Sequence, residues 1–201
     1  MRTRIIVPHR GLESAKTRLA SVLSHEERVL LGERLLRHVV GTAVASLGPD
    51  DELMVISPSR ALADIVGPMG ASLSIQNGMG LNEGLEQARQ AALDARVDIL
   101  VVIHGDLPKL TRADIAALVR TLPPTGGVTI APDRAGSGTN GLAMLPIDAI
   151  PFRFGKGSFA AHCAEAEKSG WPLVAVNRSG LAFDLDTPDD LRRWLEMGDA
   201  A

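Results

Sequence analysis

Cysteine is nearly absent from this sequence: Cys163 is the only one in 201 residues. That excludes an internal disulfide framework and a cysteine-rich zinc site, and Cys163 itself reads as a small core residue. Tyrosine is missing altogether and aromatic residues make up 3%, so base-stacking platforms of the usual kind are not expected. No charge of one sign prevails. The 21 basic and 24 acidic residues leave a net charge of -3, which gives no support to a protein held on nucleic acid by bulk electrostatics. A small anionic substrate needs only a local positive pocket and is not excluded. Long apolar runs are lacking as well. None approaches the length of a bilayer-spanning helix, and the opening Met1-Arg2-Thr3-Arg4-Ile5-Ile6-Val7-Pro8 lacks the pattern of a secretory signal. The expectation is a cytosolic protein with no membrane or nucleic-acid partner. What is present is 45% apolar residues, enough for the core of one compact domain of this length.

Short apolar runs alternate with amphipathic helical segments. Ile5, Ile6 and Val7 predict a first strand stopped by Pro8, and the polar loop that follows carries Arg10, Lys16 and Arg18. Ser24, with Glu27 three residues on, has the form of a capping box. It opens a long helix with Leu30, Leu31, Leu35, Val39 and Val40 on one broad face and Gly48 as its stop. Further strands are expected at 53–56, 72–75, 99–103, 128–131, 142–145 and 173–176. Helices are expected at 60–66, 81–93, after Thr111, at 157–168 and at 188–196. The run at 99–103 is continuously apolar, as a central parallel strand covered on both faces should be. This alternation predicts a three-layer α/β/α fold with a mostly parallel sheet. The stretch 133–180 is less regular. It is expected to form a small acceptor-binding subdomain or an antiparallel extension within a single domain spanning 1–201.

In open sheets of this kind, ligands lie beyond the carboxyl ends of the strands. Asp106 falls there, just after the apolar run, where a carboxylate can meet a metal ion or a ligand hydroxyl, or merely close a turn. If Phe183 and Leu185 point inward from an extended segment, Asp184 and Asp186 share the opposite face. Two carboxylates on one face repel unless a cation lies between them, and the three oxygen donors Asp106, Asp184 and Asp186 suit Mg²⁺ better than zinc. Asp189 and Asp190 read instead as ordinary first-turn acids of a helix capped by Thr187.

Arg10, Lys16 and Arg18 either hold a polyphosphate or form a solvated basic loop. The turn Gly78-Met79-Gly80, leading to Asn82, either brings backbone amides to a nucleotide or only opens a helix. Thr139 and the Gly155-to-Ser158 stretch, whose helix start attracts anions, form either a second-substrate site or a flexible surface loop with an ordinary helix cap. His104 and His162 are open between ligand contact and structural hydrogen bonding. No segment matches the phosphate-binding lysine loop or the dinucleotide fingerprint.

Read in series, Pro8 to Leu19, Gly80-Leu81-Asn82, Gly105-Asp106-Leu107-Pro108, Gly138-Thr139-Asn140, Gly155-Lys156-Gly157-Ser158-Phe159 with His162, and Phe183 to Leu191 resemble the guanylyltransferases of deazaflavin coenzyme biosynthesis. These act on 2-phospho-L-lactate or phosphoenolpyruvate. The resemblance implies a nucleotide-diphospho-sugar-transferase-like, Rossmann-like fold with a small β extension. It implies GTP as donor, a small phosphorylated carboxylic acid as acceptor and pyrophosphate as product. By the same resemblance, Asp106, Asp184 and Asp186 hold divalent metal, Arg10, Lys16 and Arg18 meet the triphosphate, and Gly78, Gly80 and Asn82 face the nucleotide. Thr139, Gly155 and Ser158 bind the acceptor, with Lys16, Arg18 and Asp106 as the catalytic set. Members usually carry Pro-Val-Lys where this chain has Pro8-His9-Arg10, and arginine keeps the charge without lysine's point-like ammonium. Two alternatives stand beside this reading. One is another small-molecule nucleotidyltransferase, moving CMP or GMP to a sugar phosphate or pterin. The other is a nucleotide-binding regulatory module without turnover. A homodimer is left open.

Overall fold

The computed structural model describes residues 1–78 and 80–198, so Met79, within the expected glycine turn, lies outside the described residues. Seven strands form one sheet: β1 Thr3–Pro8, β2 Glu52–Ser57, β3 Ser72–Ile75, β4 Ile99–Ile103, β5 Gly127–Pro132, β6 Thr139–Leu145 and β7 Leu173–Ala175. Their spatial order is β3-β2-β1-β4-β6-β5-β7. All neighbours pair parallel except β6, which runs antiparallel to both β4 and β5. The antiparallel element thus falls within 133–180, but inside the sheet rather than at its edge. Its residues explain this: Asn140 to Met144 are buried, so the strand is suited to a central place covered on both sides.

The helices are α1 His25–Val44, α2 Ala63–Val66, α3 Leu81–Asp94, α4 Arg112–Arg120, α5 Ser158–Ser169, α6 Ser179–Ala182 and α7 Pro188–Glu196. Alternate residues of β1 divide the core. Ile5 and Val7 pack with Leu36, Val39 and Val40 of α1 and Ile115 and Leu118 of α4. Ile6 packs on the other face with Leu85 and Ala88 of α3 and Ala166 of α5. Fully burying one such Leu or Ile side chain contributes about 1.5–3 kcal/mol. The result is the expected three-layer arrangement. Ile147, Ile150, Phe152 and Phe154, from the irregular stretch, join the same core as α3 and α5.

Ser24, Thr111 and Thr187 each form a reciprocal capping box with Glu27, Asp114 and Asp190, as their spacing foretold. Three local expectations are corrected. Leu30 is 60% exposed, because it lies about 100° round the helix from Leu31 and faces away from the sheet. Helix α1 ends at Val44 with Ala45 as its cap, short of Gly48. Cys163 is only partly buried rather than a core residue.

Candidate active site

A cavity of about 750 Å³ opens beyond the carboxyl ends of β1 and β4. Its wall includes Arg10, Lys16, Arg18, Gly78, Gly80 and Asp106, which brings most of the expected nucleotide contacts to one place. The loop after β1 is shaped by two glycines. Gly11 has φ +97°, which side-chain-bearing residues rarely adopt. In α1, a Cβ on Gly32 would lie 2.9 Å from the Ala15 Cβ, so the missing side chain lets the loop settle on the helix. Lys16 follows in the left-handed region at φ 53° and begins a 3-10 turn, Thr17–Leu19. A non-glycine residue held there stores about 1–3 kcal/mol of strain, and its surroundings fix it in place.

Those surroundings are carboxylates. Lys16 Nζ donates to Asp106 Oδ2 at 2.7 Å and to Asp186 Oδ1 at 3.0 Å. The two aspartates come together because Leu185 N donates to Asp106 O at 3.1 Å, joining the segment before α7 to the end of β4. Phe183 and Leu185 are buried beside Leu31, Leu35 and Trp194, so the inward pair expected from the sequence does turn Asp184 and Asp186 to the other side. Burial alone would lower the Lys16 pKa, but the charges of Asp106 and Asp186 outweigh it and raise it. Burial likewise pushes the Asp106 carboxyl up, yet the Lys16 ammonium dominates and holds it below the usual range. Arg18 is 71% exposed, and its guanidinium reaches Asp186 Oδ2 only at 3.5 Å.

Asp184 is turned towards Asn140, whose Nδ2 donates to its Oδ1 at 3.2 Å and to Leu181 O at 2.9 Å. Its pKa is raised by burial and by the neighbouring charges of Asp106 and Asp186, against the Asn140 hydrogen bond. Among the described residues no group of three or more His, Cys, Asp or Glu side chains stands ready around one metal position; Lys16 supplies the cation between two of the aspartates. The donor set nevertheless fits a hard divalent ion. Asp106 Oδ1 is buried without a hydrogen-bond partner, and all three groups offer carboxylate oxygens.

Asn82, Thr139, Gly155, Ser158 and His162 lie outside the cavity wall, on one connected path. Asn82 uses both ends of its amide on Phe154: Nδ2 donates to Phe154 O at 3.0 Å, and Oδ1 accepts from Phe154 N at 2.9 Å. The adjacent Arg153 N donates to His162 Nε2 at 3.0 Å, and the His162 Nδ1 faces Thr139 Oγ1 at 3.1 Å. A backbone N–H can only donate, so Nε2 is the bare nitrogen and Nδ1 carries the proton. His162 is fully buried, and its two ring nitrogens link α5 to β6 and to the segment ahead of it. Thr139 and Ser158 are each 2% exposed, and Gly155 stands at φ +134° with open space where a Cβ would project. His104 lines the cavity, packs at 5.4 Å from Phe154, and leaves its buried Nε2 unpartnered.

Four residues that the sequence does not mark as site contributors belong here. His9 lines the cavity, and Gln76 clamps the glycine turn by donating to Gly78 O at 2.8 Å and Gly80 O at 2.7 Å. Asn140 orients Asp184, though the Gly138-Thr139-Asn140 block marked its neighbourhood. Asp190 does more than cap α7. Its Oδ2 accepts from Thr187 N at 2.9 Å and from Asp186 N at 3.3 Å, while Oδ1 pairs with Arg134 at 2.8 Å. Burial raises its pKa, but the Thr187 and Arg134 hydrogen bonds prevail and lower it. Asp190→Ala should cost about 1–2 kcal/mol of stability. It should also lower kcat by roughly tenfold through misplacement of Asp186; chemical denaturation and steady-state kinetics measure the two effects separately.

The mostly parallel sheet, with a basic loop and paired aspartates at its carboxyl edge, is an α/β fold shared with solved structures. A Desulfovibrio desulfuricans structure described as a nucleotide-diphospho-sugar transferase superposes with TM-score 0.79 at 18% identity, covering 99% of this chain and 88% of that one. The 4-diphosphocytidyl-2C-methyl-D-erythritol synthase of Anaerococcus prevotii shares the fold at TM-score 0.63 and 9% identity, with 96% of each chain covered. The family follows from the sequence. Residues 3–200 match the family described as guanylyl transferase CofC like, and the chain belongs to it. It is 44% identical to the phosphoenolpyruvate guanylyltransferase of Sphaerobacter thermophilus over 95% of this chain and 91% of that protein. It is 30% identical to the 3-phospho-D-glycerate guanylyltransferase of Colwellia psychrerythraea, over 95% of this chain and 90% of that protein. Among the described residues no helix is long and apolar enough to cross a membrane.

Proposed function

We propose that this chain transfers GMP from GTP to the phosphate of a small phosphorylated carboxylic acid, releasing pyrophosphate, as a step in making a deazaflavin coenzyme. Phosphoenolpyruvate is the favoured acceptor, given the 44% identity to a protein named for it, with 2-phospho-L-lactate and 3-phospho-D-glycerate as competitors. The observation that carries the reading is the Lys16 ammonium between Asp106 and Asp186 on the wall of a cavity that Arg10 and Arg18 also line.

The chemistry asks little of a general base. A phosphate monoester has its second pKa at about 6, so the acceptor is already a nucleophile at neutral pH. Its oxygen attacks the α-phosphorus of GTP; the bond from that phosphorus to the bridging oxygen breaks, and pyrophosphate leaves with the electron pair. Lys16 and Arg18 stabilise the leaving group's charge, with Arg10 helping to hold the triphosphate. The Gly78–Gly80 turn, held by Gln76, faces the nucleotide. Asn82 braces the segment ahead of Gly155 and Ser158, which together with Thr139 receive the acceptor. Positioning and electrostatics provide most of the acceleration. Asp106, Asp184 and Asp186 are the residues to hold Mg²⁺. When bound, that ion supplies Lewis-acid polarisation and neutralises phosphate charge.

The test is pyrophosphate release from GTP in the presence of Mg²⁺ and each of the three acids in turn. Release with at least one acid, greatest with phosphoenolpyruvate, is expected. A folded protein that releases none with any of them would contradict the assignment.

A further inference from the structure

His9 stands where the strand ends and the basic loop begins, with its backbone and one ring nitrogen both held by hydrogen bonds. Its backbone N–H donates to Ile56 O at 2.9 Å, continuing the β1–β2 pairing. Its Nδ1 accepts from the Gly11 N–H at 3.0 Å. Because an amide can only donate, Nδ1 is the bare nitrogen of the neutral ring and Nε2 carries the proton. That N–H has no protein partner among the described residues. The nearest carboxylate does not take it: Asp106 Oδ2 is engaged by Lys16, while Oδ1 has no partner at all. The ring lines the cavity together with Arg10, Lys16 and Arg18, and its Cδ2 would lie 3.5 Å from a Cβ on Gly105.

We propose that His9 is a nucleotide-binding residue, its Nε2–H donating to the phosphate chain of the bound nucleoside triphosphate. The proposal rests on the guanylyl-transfer reading above and adds a contact beyond those of the three loop cations. One observation favours phosphate over nucleoside: the donor lies on the same wall as the three cations of the first loop. A neutral donor also adds a hydrogen bond without adding to the repulsion among them. Burial keeps the ring uncharged, with its pKa lowered to about 4; the Asp106 charge opposes this and the Lys16 charge assists it.

Calorimetric titration of the full chain with GTP, inorganic triphosphate and guanosine tests the proposal. His9→Val should weaken GTP and triphosphate alike by roughly tenfold, the expected loss of one hydrogen bond to a charged group, and leave guanosine unchanged. His9→Gln, whose amide nitrogen reaches the position of Nε2, should bind close to wild type. His9→Asn, polar but too short, should behave like His9→Val and serves as the second variant should valine impair folding. Wild-type affinity for GTP in the folded His9→Val or His9→Asn protein would overturn the proposal. So would a loss confined to guanosine. A wild-type protein that binds neither GTP nor triphosphate would instead overturn the guanylyl-transfer reading beneath it.

Discussion

Replacing Lys16 by methionine should lower kcat by at least about 10²–10³-fold, the usual consequence of removing one preorganised charge-stabilising donor. The same change should destabilise the fold. Lys16 is 7% exposed and lies 2.7 Å from Asp106, so its loss leaves a largely buried carboxylate without its cation. Breaking a buried ion pair from one side costs about 3–5 kcal/mol; because Asp106 is 24% and Asp186 38% exposed, the lower end of that range is expected here. The two effects separate in a double variant. Lys16→Met with Asp106→Asn removes the stranded charge and should recover most of the lost stability, yet remain inactive. Denaturant unfolding and turnover, measured on the wild type, both single variants and the double variant, resolve this. Recovery of turnover along with stability would mean that Lys16 serves only to neutralise Asp106.

Acid should destabilise the protein as pH falls from about 6.5 towards 4. His162 is lowered from 6.5 to about 4, chiefly by burial, with Arg153 and His104 adding to the effect and the Ser158 backbone and Glu165 opposing it. The folded state therefore keeps this ring neutral, while the unfolded chain protonates it at 6.5. Stability is full above pH 6.5 and is lost as pH falls towards 4, because the unfolded state binds the extra proton. A shift of this size corresponds to about 3 kcal/mol, and His9, lowered in the same way, adds to the slope. Asp184 has the opposite sign: its raised pKa makes protonation favour the folded state. Comparing His162→Gln with the wild type removes that contribution from the difference. Urea denaturation between pH 4 and 7 should show a flatter dependence in the variant; equal slopes would mean that His162 is not kept neutral by the fold.

The backbone plan was legible because its signals are local. Capping boxes at Ser24, Thr111 and Thr187 are set by a hydroxyl and an acid three residues apart, and the apolar run of β4 has one reading. The antiparallel insertion of β6 was not legible in detail, since strand direction depends on which neighbours a chain meets after folding. At the site, Asp106 and the face shared by Asp184 and Asp186 could be read from position and alternation. Their meeting through Lys16 could not, because it depends on a backbone hydrogen bond between Asp106 and Leu185. Asn82 illustrates the same limit. Its place beside the glycine turn pointed to the nucleotide, but the fold carries Phe154 within reach and both amide ends are used there. Asp190 looked like a routine first-turn acid because nothing local records that Arg134 and the Asp186 amide also meet it.

The central claim concerns which bond is made. Phosphorus-31 NMR of the protein incubated with GTP, phosphoenolpyruvate and Mg²⁺ observes it directly. The account predicts pyrophosphate in equal amount to a new pair of coupled resonances, those of a mixed diphosphate joining GMP to the acid. GTP converted only to GDP and inorganic phosphate, or to free GMP with the acid unchanged, would contradict it.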